Sequence, residues 1–168
     1  MGNVILIGFM GCGKSSIGRC MAKEGYELID TDEYIENRTG RIIKDIFAED
    51  GEQAFRLMET DAVRELIGLG KNNLVIAVGG GLPVKEENRP LLKELGTVVY
   101  LRATVDSLEK RLERDTTRPL LQGGNVRDKI ETLMAARADI YDETADVYVD
   151  TDDRSFESIV EEIKRKMA

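Results

Sequence analysis

The sequence predicts an α/β fold of three layers, in which helices cover both faces of a five-stranded parallel sheet. Short apolar runs alternate along the chain with longer helical patterns, which is the rhythm of β-α-β units. Four of the five runs are rich in β-branched residues, as buried parallel strands are. The predicted strands span residues 4–7, 26–29, 74–78, 98–101 and 147–149.

The segments between these runs are long enough to carry a helix across the sheet, as a parallel connection requires. Helices are predicted over residues 14–23, 42–70, 105–114, 126–142 and 155–166. The interval 31–69 is long for one crossover, so we expect a helical region beside the sheet. The three prolines lie outside the predicted strands and no internal repeat occurs, so one domain is expected over residues 1–168.

Composition excludes several classes of function. With a net charge of -8, the chain is not expected to bind nucleic acid or a membrane surface. It has no histidine, which excludes a histidine-ligated zinc site and leaves proton transfer to carboxylates or lysine. Two cysteines suit neither a zinc site nor a disulfide framework. We therefore expect a cytoplasmic protein and, since no apolar stripe is apparent, a monomer.

The stretch GFMGCGKS, from Gly8 to Ser15, matches the phosphate-loop pattern G-x-x-x-x-G-K-[ST] between a predicted strand and a predicted helix. Glycines let successive N–H groups point at phosphate oxygens, Lys14 reaches the outer phosphates, and Ser15 can ligate Mg²⁺. Cys12 is interpreted as a small loop filler rather than a redox group. The residues expected to contact the nucleotide are Gly11, Cys12, Gly13, Lys14, Ser15 and Ser16.

This loop alone does not separate an ATPase, a GTPase switch and a small-molecule kinase. A GTPase needs an Asn-Lys-x-Asp guanine reader, and the chain has none. The GTPase interpretation is therefore set aside.

The second predicted strand ends in Asp30-Thr31-Asp32. Strand periodicity predicts that both carboxylates lie on one side, at the sheet edge where α/β proteins bind ligands. One carboxylate can help hold hydrated Mg²⁺, and the other can accept a proton from a substrate hydroxyl. An alternative stays open, in which Asp32 is only the N-cap of a helix.

Three consecutive glycines, Gly79, Gly80 and Gly81, follow the third predicted strand. Such a run is entropically costly, so the bare backbone is expected to approach another group closely. That group is either a substrate or the phosphate loop, and in the second case the glycines only form a tight turn packed against that loop.

Together with further blocks in the same order, these motifs resemble the shikimate kinase family over nearly the whole chain. No single block except the phosphate loop is specific, but the set is. The blocks are Gly8 to Ser15, Asp30 to Asp32, Phe47, Gly51-Glu52 with Phe55-Arg56 and Glu59, Gly79 to Gly81, Arg118 to Leu121, and Met134-Ala135 with Arg137 and Tyr141.

The resemblance implies a P-loop kinase fold that uses ATP and Mg²⁺ to phosphorylate the 3-hydroxyl of shikimate, on the route to chorismate and the aromatic amino acids. It implies that Asp32 binds the reacting hydroxyl as candidate base, and that Asp30 positions the Mg²⁺ shell. Arg56, oriented by Glu59, and Arg137 are implied to grip the substrate carboxylate, a task that suits the planar guanidinium.

The remaining implied roles concern the glycines, the lid and adenine. Gly79, Gly80 and Gly81 are implied to offer N–H groups to the substrate. Arg118, in a lid over about 112–125, is implied to act with Lys14 on the transferring phosphate. Arg154 and either Arg111 or Arg114 are implied to lie near adenine, and a substrate-binding helical region is implied over about 31–60.

Alternatives remain for these assignments. Arg56 and Arg137 can instead belong to solvated helix faces, and residues 112–125 can form a plain surface loop. Asp139 stands where the family often has proline, two residues after Arg137. A gluconate kinase and a non-catalytic nucleotide-binding module are the competing functions.

Overall fold

The computed structural model describes residues 2–113 and 124–168. In this part of the chain, five strands form one parallel sheet in the order β2-β3-β1-β4-β5. The predicted five-stranded parallel sheet is confirmed, and each predicted run overlaps its strand. The strands are β1 Val4–Ile7, β2 Glu27–Asp30, β3 Leu74–Ala77, β4 Thr97–Arg102 and β5 Val147–Asp150.

The centre of the sheet is fully apolar. All four residues of β1 and all four of β3 are buried. In the hydrogen-bonded register, Ile5 of β1 lies between Ile76 of β3 and Val98 of β4. Because helices cover both faces here, these strands are continuous apolar runs rather than alternating ones.

The helices of the described residues carry the chain between the strands, and none of them is both long and apolar enough to cross a membrane. A short 3-10 turn, Leu82–Val84, follows β3. The helices are α1 Lys14–Ala22, α2 Thr31–Thr39, α3 Ile43–Asp50, α4 Glu52–Leu69, α5 Asn88–Leu95, α6 Val105–Leu112, α7 Val126–Thr144 and α8 Phe156–Met167.

Strand order and the right-handed crossover rule place these helices on both faces. The connection from β1 to β2 runs one way along the sheet, and those from β3 to β4 and from β4 to β5 run the other way. Right-handed crossovers therefore put α1 on one face and α5 and α7 on the other. In agreement, α1 packs against α8, while α5 packs against α4. The predicted three layers are confirmed.

Two predictions about the helices were wrong. The single helix expected over 42–70 is divided at Gly51, whose φ of 91° ends α3 and precedes α4. Such a φ favours glycine and stops helix propagation. The helix α5 was not predicted, although its buried Leu92 and Leu95 show the helical spacing.

A second, smaller apolar cluster lies under α2, α3 and α4. It contains Ile35, Ile46, Phe55 and Ala62. Residues 31–69 thus form three helices with an apolar centre beside the sheet, where a helical region was expected.

Candidate functional site

Three chain segments meet at the carboxyl edge of strands β1, β2 and β3. They are the loop after β1, the start of α2 after β2, and the glycine run after β3. Because β2, β3 and β1 are neighbours in the sheet, these segments are brought side by side. A cleft of about 1260 Å³ opens there and is lined by residues of all three segments.

The loop after β1 has the geometry of an anion cradle. Gly13, with φ 102°, precedes the first turn of α1, whose N–H groups have no partner within the helix. Gly13 and the residues of that turn line the cleft, where such N–H groups can bind an anion. Lys14 Nζ folds over the loop and donates to the carbonyl oxygens of Gly8 at 2.8 Å and Phe9 at 3.0 Å. The Cys12 thiol is buried, with Sγ 3.7 Å from Lys14 Nζ.

The carboxylate of Asp30 joins this loop to α2. Ser15 Oγ donates to Asp30 Oδ2 at 2.7 Å, and Oδ1 accepts from the backbone N–H groups of Asp32 at 2.9 Å and Glu33 at 3.3 Å. Asp30 is therefore the N-cap of α2, and the N-cap interpretation of Asp32 was wrong. The periodicity argument was also wrong, because the strand ends at Asp30 and Thr31 begins a helix.

Ser15 and Asp30 fit a magnesium ion through their chemistry, since both present hard oxygen ligands beside the phosphate loop. Among the described residues, no cluster of three acidic or cysteine side chains forms a complete metal cage. Mg²⁺ typically binds one or two protein oxygens together with phosphates and water, so this small donor set is sufficient.

Gly79 lies where two carboxylates converge. A Cβ at this position would lie 2.7 Å from Glu59 Oε2 and 3.0 Å from Asp32 Oδ1. Gly79 therefore allows both acids to approach the same point. Its own N–H donates to Thr31 Oγ1 at 3.0 Å. The Gly79 N–H is thus engaged within the protein, and its expected contact with a substrate stays a prediction.

Gly81 makes room for Arg56 in the same way. A Cβ at position 81 would lie 2.6 Å from Arg56 Cζ, well inside van der Waals contact. Arg56 Nη1 donates to Glu59 Oε1 at 2.7 Å, and its Nη2 donates to Glu52 Oε2 at 3.1 Å. The guanidinium also lies 5.4 Å from the centre of the Phe55 ring, within the range of a cation–π contact. Arg56 is therefore held by groups on α4, not on a solvated face.

Arg137, on α7, is 5% exposed, and its Nη1 has no hydrogen-bond partner among the described residues. Glu59 Oε2 is buried without a partner in the same sense. Buried polar atoms left unpaired are costly, so both are expected to gain a polar partner when the site is filled. The helix-face alternative for Arg137 is thus wrong.

Burial raises the pKa of Glu59 from 4.5 to about 7, and the Arg56 guanidinium opposes that rise. Because the folded protein holds this proton more tightly than the unfolded chain does, the resulting stability is present below pH 4.5. It is lost as the pH rises to about 7.

Because this stability is lost as the pH rises, the free energy of unfolding should depend on pH differently in the wild type and in Glu59→Gln. Relative to the variant, the wild type should lose roughly 3 kcal/mol of unfolding free energy between these two pH values, and no more above them. Urea unfolding at pH 4.5, 6 and 8 measures this, because charges elsewhere cancel in the difference. A difference that is constant with pH, or that grows in favour of the wild type, contradicts the prediction.

Other expected site residues lie at the far end of the cleft. Arg154 lines the cleft. Its Nη1 donates to Glu162 Oε1 at 3.0 Å, in an ion pair, and to the Asp150 carbonyl oxygen at 2.9 Å. Arg111 Nη1 donates to the Gly11 carbonyl at 3.0 Å. Arg114, Arg118 and most of the expected lid, 112–125, lie outside the described residues.

Sequence reasoning missed Phe156 at this end. The side chain is 45% exposed, lines the cleft, and lies 3.9 Å from the position a Cβ on Gly13 would take. The available signal was an aromatic residue two positions after Arg154, which the family resemblance implies lies near adenine.

Comparisons with known proteins point to one family. The family model described as "Shikimate kinase" matches residues 10–168. A curated shikimate kinase of Bacillus anthracis is 41% identical over 168 residues, covering 99% of each chain. A solved shikimate kinase of Acinetobacter baumannii, in complex with shikimate, is 37% identical with a TM-score of 0.94, covering 99% of this chain and 93% of that one.

A gluconokinase from Sinorhizobium meliloti is more distant. It is 20% identical with a TM-score of 0.57, covering 96% of this chain and 88% of that one. That likeness shows the fold alone.

The phosphate loop, the acidic end of β2, the half-buried Arg56 and the buried Arg137 are thus found in a chain that matches shikimate kinases over nearly its full length. The chain belongs to the shikimate kinase family, and its fold is the P-loop kinase fold.

Proposed function

We propose that this protein transfers the γ-phosphoryl group of ATP to the 3-hydroxyl of shikimate. The observation that carries the proposal is the convergence of Asp32, Arg56 and Arg137 on one glycine turn, in the cleft that also contains the phosphate loop. Donor and acceptor groups therefore have a common site.

The acceptor half suits a small acid with hydroxyl groups. Arg56 and Arg137 both line the cleft, and guanidinium groups bind a carboxylate through paired hydrogen bonds. Arg56 now donates to Glu52, whose side chain is 50% exposed. A substrate carboxylate would replace that exposed partner, while the buried contact with Glu59 holds the guanidinium in place.

Asp32 is proposed to accept a hydrogen bond from the reacting hydroxyl and then its proton. Asp32 Oδ1 lies at the Gly79 turn, on the acceptor side of the cleft, whereas Asp30 faces Ser15 on the donor side. The two acids therefore have different roles, although they are two residues apart.

The donor half holds and neutralises phosphate. We propose that phosphate oxygens accept from the N–H groups of Gly11 and Gly13 in the loop, and from those of Lys14, Ser15 and Ser16 at the start of α1. The Cys12 N–H, also expected to contact the nucleotide, instead donates to the Phe9 carbonyl oxygen at 3.1 Å. Lys14 would exchange its two carbonyl partners for the outer phosphates. Phosphoryl transfer has a loose transition state, so alignment and charge neutralisation supply most of the catalysis. Arg118 is proposed from the sequence to add to that neutralisation.

Ser15 and Asp30 are proposed to hold Mg²⁺, which supplies charge neutralisation at the phosphates. Asp30→Asn tests this role cleanly, since Asn caps a helix as well as Asp does and α2 should be retained. The Mg²⁺ concentration that gives half-maximal activity should rise about 10- to 100-fold, while KM for shikimate stays near the wild-type value. An unchanged Mg²⁺ titration would remove Asp30 from the metal site.

A coupled assay that follows ADP release tests the function itself. Turnover is expected with ATP and shikimate, and only background with gluconate or with no acceptor. Equal rates in all three mixtures would contradict the proposed acceptor. Nucleotide binding without turnover would favour the non-catalytic module.

We also infer that the protein acts as a monomer in the cytoplasm. Among the described residues, exposed apolar side chains such as Leu57, Val84 and Tyr148 lie on α4, on the 3-10 turn and on β5, rather than in one stripe. Its two cysteines are free thiols, as a reducing compartment favours.

A further inference from the structure

Tyr141, on α7, has a hydroxyl that the proposed mechanism does not use. The side chain is fully buried, and its Oη donates to the carbonyl oxygen of Gly80 at 2.5 Å. Tyr141 lies one helical turn after Arg137, so both project from the same face of α7. Helix α7 thus supplies both Arg137, which is proposed to bind the substrate carboxylate, and the contact of Tyr141 with the glycine turn.

Gly80 stands at the junction of the two halves of the cleft. A Cβ at this position would lie 3.2 Å from the backbone N of Met10 and 3.5 Å from both the Gly8 carbonyl oxygen and Arg137 Nη1. The Gly80 backbone is therefore packed between the phosphate loop and the second arginine. A small rotation of the Gly80 backbone would alter the distance between the phosphate loop, where the phosphoryl donor is proposed to bind, and Arg137, where the acceptor is proposed to bind.

The carbonyl of Gly80 and the N–H of Gly81 belong to one planar peptide unit. This unit is trans, so the two groups point in opposite directions. A hydroxyl that holds the Gly80 carbonyl toward α7 therefore also fixes the direction of the Gly81 N–H, away from α7. Gly81 lines the cleft, and the Arg56 guanidinium fills the space that a Cβ on Gly81 would take.

Packing of the Tyr141 ring does not explain why this residue has a hydroxyl group. The Tyr141 ring contacts Tyr100 at a centroid distance of 5.2 Å, and a phenylalanine could make the same contact. A buried hydroxyl requires a partner, and here it donates to the glycine turn, with the Arg137 guanidinium also beside it. Burial also raises the pKa of Tyr141, so the hydroxyl remains a donor throughout the physiological range.

We propose that the Tyr141 hydroxyl is a positioning group for the acceptor substrate: by holding the Gly80 carbonyl, it orients the Gly79–Gly81 turn and keeps Arg56 and Arg137 in register. It does not touch the reacting atoms. The proposal rests on the proposed function and adds a residue that acts through the glycine turn.

Tyr141→Phe removes this hydroxyl alone, and Tyr100→Phe is the matched control in the same aromatic pair. In Tyr141→Phe, KM for shikimate should rise about three- to ten-fold, as loss of one neutral hydrogen bond implies, with KM for ATP within about two-fold of wild type. Calorimetric titration of shikimate should show the same loss of affinity. Tyr100→Phe should keep both KM values within about two-fold.

A shikimate KM unchanged in Tyr141→Phe, or raised equally in Tyr100→Phe, overturns the proposal, as does an equal rise in both KM values of Tyr141→Phe. A wild-type protein that does not turn over shikimate refutes the proposed function instead.

Hydrogen exchange of the wild type supplies a reading that needs no variant. The Leu82 N–H closes the turn by donating to the Gly79 carbonyl oxygen at 3.0 Å. Followed by NMR, it should exchange as slowly as the amides of β3, and exchange at the rate of an exposed loop overturns the proposal. This measurement decides the matter should Tyr141→Phe fail to fold.

Discussion

Replacing Asp32 with Asn is expected to lower kcat by about two to four orders of magnitude, the usual contribution of a general base. Asn keeps the shape of the side chain but cannot take the hydroxyl proton. ATP affinity should change by less than about two-fold, because the backbone cradle and Lys14 are untouched. Steady-state kinetics and calorimetric titration of ATP with Mg²⁺ measure the two quantities.

The matched control for this variant is Asp61→Asn, the same chemical change at an exposed position of α4. It should leave kcat within about two-fold of wild type. A collapse of ATP affinity in Asp32→Asn would assign Asp32 to the metal and reverse its division of roles with Asp30.

Arg137→Ala is expected to raise KM for shikimate by about 10- to 100-fold, since hydrogen bonds to charged groups contribute about 1.5–3 kcal/mol. KM for ATP should stay close to wild type. The buried Nη1 atom, which has no partner among the described residues, is the group that a carboxylate would satisfy. Initial rates with varied shikimate at saturating ATP give the value.

Arg127→Ala is the control on the same helix, because its guanidinium is 41% exposed and pairs with surface acids. Both kinetic constants should stay within about two-fold of wild type there. An Arg137→Ala variant with unchanged shikimate KM would leave Arg137 with a structural role only.

Features that depend on residues adjacent in the sequence were predictable. The strands around the centre of the sheet are apolar runs, and their burial on both faces is implied by that composition. The phosphate loop was found because its glycines, Lys14 and Ser15 are contiguous. The acids at the end of β2 were found for the same reason.

Predictions from local sequence patterns were wrong where the same residues suit two conformations about equally well. The sequence at Asp30-Thr31-Asp32 suits both a strand continued to Asp32 and a helix that starts at Thr31. The bond from Ser15 to Asp30, together with the helix packed behind it, favours the second. At Gly51, the helical pattern continues on both sides, and only the backbone φ reveals the break.

Contacts between distant positions could not be read from spacing. Arg56 and Gly81, or Tyr141 and Gly80, are brought together by the order of the strands and not by any repeat in the chain. The same holds for the pKa of Glu59, since burial is a property of the packed helices.

The sequence by itself determined the fold class, the phosphate loop and the family, because each depends on residue types in a fixed local order. Only the tertiary structure decided that Asp30 caps α2 beside Ser15, that Gly79 and Gly81 leave space for an acid pair and an arginine, and that Tyr141 holds the turn between them. The physical reason is that excluded volume and burial act between residues that are close in space, and those neighbours exist only after the sheet has set the order of its strands.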